Sequence, residues 1–228
     1  MPEFFEPPAP RPAPPRPERR EVPPWVGAPR GVLPGVVALE LVIARTSSIV
    51  VAITRLDAYP SGFALDLVTM ADQNDDELDP ALFEGRRLLH RRGDAATGEI
   101  PDEMLRFGLE FADGRKATNI AESPLLHRGS EARTTMHAIA EKAPDQPAGP
   151  VLNANGGSGG SGQWRQSFWV WPLPPPGPLT FACEWPAAHV PLTRHEIDAH
   201  LILEATSRAQ VIFAQGQDTA DRNDQPEL

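Results

Sequence analysis

The side chains of this 228-residue chain best suited to recognition chemistry are Trp169, Trp171 and Trp185, with Glu184 beside the last. Alternate residues of an extended strand share a face. Trp169 and Trp171 therefore project together, opposite Phe168 and Val170, and Phe181, Cys183 and Trp185 share a face of the next aromatic run. Such a row can be a stacking platform for sugars or bases, or it can be the core of a sandwich. Both faces of the first run are apolar, so at least one must be covered. Any uncovered face is the expected contact surface for a ligand or partner. Glu184, Glu110 and Asp113 are the carboxylates from which a glycosidase-like pair could be built, about 5–10 Å apart across a cleft.

Other motifs fall short of their chemistry. His195-Glu196-Ile197-Asp198-Ala199-His200 resembles a zinc-hydrolase helix, but its histidines are five apart instead of four. On a helix the second is rotated by about 500°, roughly 140° away from the first. Asp72, Asn74 and Asp76 begin like a calcium loop, yet Glu77 stands where glycine is required and Phe83 where glutamate is. The single cysteine, Cys183, excludes an intramolecular disulfide and a cysteine-based zinc site; in an aromatic strand it reads as a small core filler. There is no G-x-S-x-G, phosphate loop or dinucleotide fingerprint. No catalytic, cofactor or metal residue is assigned, and an enzymatic role is disfavoured.

Composition narrows the partners. Thirty-one acidic residues against 21 basic ones give a net charge of -10, and no large Lys/Arg cluster offers a phosphate-binding surface, which disfavours nucleic acid. Twelve of the 27 prolines fall in Met1–Pro34. That segment reads as a disordered Pro-rich tail, residues 1–34. Within it Arg11-Pro12-Ala13-Pro14-Pro15-Arg16-Pro17 matches an SH3-type RxxPxxP peptide, with a plain spacer as the simpler reading. Glu3, Glu6, Glu18 and Glu21 offset its basic residues, so it is a poor membrane anchor. Val36 to Ile53 is too interrupted by polar residues to span a bilayer, and the first 20 residues lack an apolar export run. A cytoplasmic location is expected.

The elements that must position these side chains are short strands. Val37, Leu39, Leu41 and Ile43 alternate, Ser48–Leu56 forms a second strand, and Phe63–Met70 a third after the turn Tyr59-Pro60-Ser61-Gly62. Asp79-Pro80 resembles a helix start running to about His90. Glu103–Phe111 and Lys116–Ile120 flank an Asp113-Gly114 turn and read as a hairpin. A short ordered piece is expected near Thr134–Ala138. Gly156–Gly162 (GGSGGSG) reads as a flexible linker ahead of a Trp/Pro hairpin. Thr193 and Glu196 have capping-box spacing, with Asp198 as a competing cap, for a helix beginning at Ile197 or Leu201 and reaching Ala209. The expected fold is an antiparallel β-sandwich, or else a partly open β-barrel, with one C-terminal helix and disordered tails. It is a single domain over residues 35–213, with flexible insertions near 72–102, 121–149 and 155–162 and a disordered acidic tail over 214–228.

The segments LRFGLEFADGRKATN, FWVWPLPPPGPLTFACEW and EIDAHLILEATSRAQ, in that order, resemble a family from high-GC, actinobacterial-type bacteria that has no assigned activity, cofactor or catalytic residue. The resemblance covers about Gly35 to Phe213. It implies a stand-alone β-rich cytoplasmic domain with a variable Pro-rich leader and variable loops at Asp72–Asp79 and Ala121–Gly149, and it carries over no site residues.

Together these readings favour a non-enzymatic protein-interaction or accessory module. The alternative is a small-molecule or carbohydrate-binding barrel with, at most, weak hydrolase activity. An unidentified protein partner is expected. Self-association would follow if an edge strand is exposed.

Overall fold

Apolar residues at every second position fold this chain into two facing antiparallel sheets. The computed structural model describes residues 22–75, 82, 100–120, 146–160 and 162–213. In chain order the first strands are β1 (Val32–Leu33), β2 (Gly35–Val37), β3 (Leu41–Arg45), β4 (Ile49–Tyr59), β5 (Gly62–Ala71), β6 (Arg106–Glu110) and β7 (Lys116–Thr118). Then come β8 (Val151–Gly160), β9 (Gln163–Trp171), β10 (Pro178–Trp185), β11 (Val190–Asp198), helix α1 (His200–Thr206) and β12 (Gln210–Val211).

Among the described residues, one sheet has the order β2-β4-β5-β9-β8, with β3 also lying along β4; the second has the order β11-β10-β6-β7. Neither closes into a barrel, and all the pairings are antiparallel. The inner faces meet in one core. Ile49, Val51, Ile53, Leu56, Phe63, Leu65, Leu67, Phe168 and Val170 come from the larger sheet, and Phe107, Leu109, Phe181, Cys183 and Trp185 from the smaller. Phe107 joins the two, its ring centroid 5.5 Å from Phe168 and 6.3 Å from Phe181. Each such fully buried side chain stabilises the fold by about 1.5–3 kcal/mol. The helix closes one end through Ile202 and Ala205. It lies so close to β2 that any Cβ on Gly35 would collide with the Ala205 carbonyl.

The three-strand meander and the Asp-Gly hairpin form as expected. The first meander strand is split into β2 and β3, both paired with β4. In the hairpin, Gly114 adopts φ 81° and its N–H donates to the Phe111 carbonyl at 2.9 Å. Four other expectations are corrected. Gly156–Gly160 is not a linker: it is the outer half of β8, in register with β9 as far as Gly160 opposite Gln163. The Pro-rich run after Trp171 is a crossover, not a hairpin, since β9 and β10 lie in different sheets. Thr193–Asp198 does not begin the helix. It extends β11, because Arg194 and Glu196 pair with Ala182 and Thr180, and the strand's ladder outweighs the local capping preference. The N-cap is Ala199, and the competing candidate Asp198 lies just ahead of it, its Oδ1 accepting from the His200 N–H at 2.8 Å. Finally, the leader does not stay apart as far as residue 34. Val26 is buried and β1 pairs with β12, because Trp25 and Val26 supply the apolar surface that the proline-rich part lacks. The helix expected at Asp79–His90 (apart from Leu82), the piece at Thr134–Ala138, residues 1–21 and the acidic tail lie outside the described residues.

Candidate functional site

The four side chains singled out from sequence are separated by the sandwich. Trp185 is fully buried on the inner face of β10, its Nε1 donating to the Glu103 carbonyl at 3.0 Å. Trp169, also fully buried, points the other way, out of the larger sheet. Its Nε1 donates to the Pro24 carbonyl at 2.9 Å, and Tyr59 meets its ring edge-on at 5.6 Å. Trp171, two residues on, shares that face and is half-buried against Trp25, centroids 6.0 Å apart. No open row of indoles results. The leader strap Val22–Arg30 covers Trp169, and the core encloses Trp185.

Polar groups continue the face beneath and beside the strap. Cross-strand register aligns Asp57, Ala64, Trp169 and Asn153 in one row and Arg55, Asp66 and Ser167 in the next. Asp57 is buried against Arg55, whose guanidinium is held above its ordinary pKa chiefly by that bond. Asp66 accepts from Ser167 Oγ at 2.6 Å and lies 3.7 Å from Arg165. Burial pushes the Tyr59 phenol upward, reinforced by Asp57 and opposed by Arg55. These buried carboxylates are satisfied by cations and hydroxyls within the sheet, as buried charge requires.

Glu184 belongs to a different place, the outer face of the smaller sheet. Here the strands align Arg194, Ala182, Gly108 and Thr118 in one row and Glu196, Thr180, Glu110 and Lys116 in the adjacent one, with Glu184 opposite Arg106. Because Gly108 has no side chain and Ala182 only a methyl group, the middle of this face sinks into a trough of about 220 Å³, bordered by Leu192 and Ile120. Its charges are paired along the walls. Arg106 bonds Glu184 Oε2 at 2.7 Å and Asp102 Oδ1 at 3.1 Å, while Glu110 Oε2 lies 3.4 Å from Lys116 Nζ and 3.3 Å from Arg194. Leu192, 58% exposed, stands at the border.

Glu184 and Glu110 thus share the trough, whereas Asp113 ion-pairs with Arg115 in the hairpin turn. His195 lies on β11 and His200 opens the helix, so the two never share a helical face. Asp72 turns its carboxylate onto the N–H and Nδ2 of Asn74 at 2.9 and 2.8 Å, and the loop is tied to Ser48, whose carbonyl accepts from the Asp72 N–H at 2.7 Å and whose Oγ donates to Asp75; Asp76, the third residue of that motif, lies outside the described residues. Among the described residues no three His, Cys, Asp or Glu side chains are grouped to hold a metal ion. Cys183 faces the core, and burial, with the nearby Glu184 charge, pushes its thiol up to about 12, which keeps it a protonated filler. None of the described helices is long and apolar enough to cross a membrane.

Sequence reasoning named two of the trough's wall carboxylates, Glu110 and Glu184, but missed its floor and the basic residues paired with them. The signal was present in the outward alternation of Arg106, Gly108 and Glu110 against Thr180, Ala182 and Glu184, but only register turns it into a surface. Comparison with protein-family models, curated proteins and solved structures finds no match to this chain.

Proposed function

We propose that this chain is a non-enzymatic β-sandwich interaction module that contacts a protein partner through the outer face of its four-stranded sheet. The observation that carries this is the trough itself: an apolar floor of Gly108 and Ala182, a bordering exposed Leu192, and walls whose charges already neutralise one another. An apolar centre within a polar rim is the layout of a protein–protein contact. Its volume of about 220 Å³ is below the roughly 300–1,000 Å³ of small-molecule sites, and its walls offer no unpaired acid for general catalysis. The covering of Trp169 and Trp185 weighs against the sugar-platform alternative.

A photo-crosslinking residue at position 192 of the full chain tests this. Discrete protein adducts are expected from Leu192, lost on Ala182→Arg and absent when the crosslinker is placed at Leu201 on the helix. Identical adducts from both positions would defeat the proposal. So would a sugar or metabolite that raises the melting temperature of the wild type but not of Ala182→Arg.

A further inference from the structure

The outer face of the six-stranded sheet holds the chain's own Pro23–Val26 segment much as a receptor holds a peptide. We propose that this face is a docking seat for short Pro-Pro-aromatic turns carried by another polypeptide, and that Pro23–Val26 is a resident occupant which such a turn displaces.

The contacts have the character of peptide recognition. Two side chains in cross-strand register, Trp169 and Asn153, donate to two consecutive main-chain carbonyls of the segment. Trp169 Nε1 reaches the Pro24 oxygen at 2.9 Å and Asn153 Nδ2 the Trp25 oxygen at 2.7 Å. Donors aimed at main-chain oxygens read the shape of a turn, and the edge-on Trp25–Trp171 contact reads the aromatic residue after the prolines. The turn is closed by its own Val26 N–H to Pro23 carbonyl bond at 2.9 Å, with Pro24 at the position where a fixed φ favours it. A preset turn loses little freedom on docking.

Two further observations make the segment an occupant instead of a core element. The sandwich core closes beneath it, for neither Val26 nor Trp169 belongs to the main core cluster although both are buried. The fit is also incomplete. The Pro24 ring is exposed, and Trp25 Nε1 is buried without a hydrogen-bond partner among the described residues, a deficit that weakens the resident's hold.

The test keeps the full chain and cuts it after folding. A site-specific protease sequence is inserted between Ala28 and Pro29, the folded protein is cleaved, and a fluorescent peptide spanning Val22–Ala28 is added. The expected result is a body that stays folded by circular dichroism and exchanges its cut strap for the labelled peptide in a saturable manner. Binding should fall at least tenfold for a peptide carrying Pro23→Ala and Pro24→Ala, and several-fold for a body carrying Asn153→Ala. Four results would overturn the proposal: a body that unfolds when the strap leaves, a freed seat that ignores the peptide, alanine peptides that bind equally well, and a strap that never exchanges. Dimers of the uncut protein that disappear on adding peptide would name a second copy as the source and so overturn the assignment to a different polypeptide. Ala182→Arg should leave peptide binding unchanged, which separates this seat from the trough on the opposite sheet.

Discussion

Trp169 and Trp185 each send an indole N–H to a main-chain carbonyl, but they stabilise different things. Replacing Trp185 by Phe leaves a void in the main core and orphans the Glu103 carbonyl, so a loss of about 2–4 kcal/mol is expected in urea unfolding. Trp169→Phe should cost less globally. Its mark is faster hydrogen exchange confined to the strap and to β9, because what it releases is the Pro24 carbonyl. Cys183 gives a pH signature. Its thiol is raised in the folded state to about 12 from an ordinary 9.0, so the unfolded chain surrenders the proton first as pH climbs. That stabilisation is complete below about pH 9 and should then decline by roughly 1.4 kcal/mol per pH unit. Thermal melts of wild type against Cys183→Ala between pH 8 and 10 would show the wild type losing ground only above 9. If the difference between them stays flat, the thiol is not held as described. At this scale, the division of Trp169 from Phe168 between opposite faces was legible in the alternation of the run. What covers Trp169 was not, since its cover lies 145 residues earlier in the chain.

For whole elements, local preference and pairing disagree at two places. Glycine and serine disfavour strands, which is why Gly156–Gly162 reads as a linker, yet β8 runs through Gly160. The reason is space. A Cβ on Gly157 would fall 2.6 Å from the Trp164 ring, and one on Gly159 would collide with the Gln163 backbone, whereas Gly160 faces nothing within 4 Å. Gly159→Val is therefore expected to cost about 1–3 kcal/mol by overpacking, and Gly160→Val to change stability by no more than about 0.5 kcal/mol. Equal effects of the two in chemical denaturation would refute the close approach. In β11 the Thr193–Glu196 spacing was a true local signal overridden by the ladder to β10, and what survives of the capping expectation is the Asp198 bond to the His200 N–H, one residue ahead of the cap. The hairpin around Gly114 was legible because its turn chemistry and its pairing agree.

Across the whole molecule, the sandwich was readable because period-two patterning alone decides which side chains must be hidden. Its fastening was not. The strap is tied at its far end by pairing of β1 with β12, including Ile212 N–H to the Gly31 carbonyl at 2.8 Å. Ile212→Pro removes that donor while leaving the sandwich core untouched. Stability should fall by about 0.5–1.5 kcal/mol, and proteolysis near Arg30 should accelerate several-fold. Unchanged cleavage would mean that the clip does not restrain the leader.

Strand β4 carries one residue more than its partner needs. Ile49, Val51 and Ile53 point inward, and so do Leu56 and Ala58, an odd step made possible by the register shift between Ile53 and Arg55 opposite Leu67 and Asp66. Excising Thr54, an exposed residue, would remove the surplus and leave strict alternation, with Arg55 still opposite Asp66 and Leu56 and Ala58 still facing inward. Excising Thr54 and Arg55 together would reverse the parity of everything after them, turning Leu56 and Ala58 to the exterior and Asp57 into the apolar interior. A gap of one residue is tolerable at this spot, and a gap of two is not.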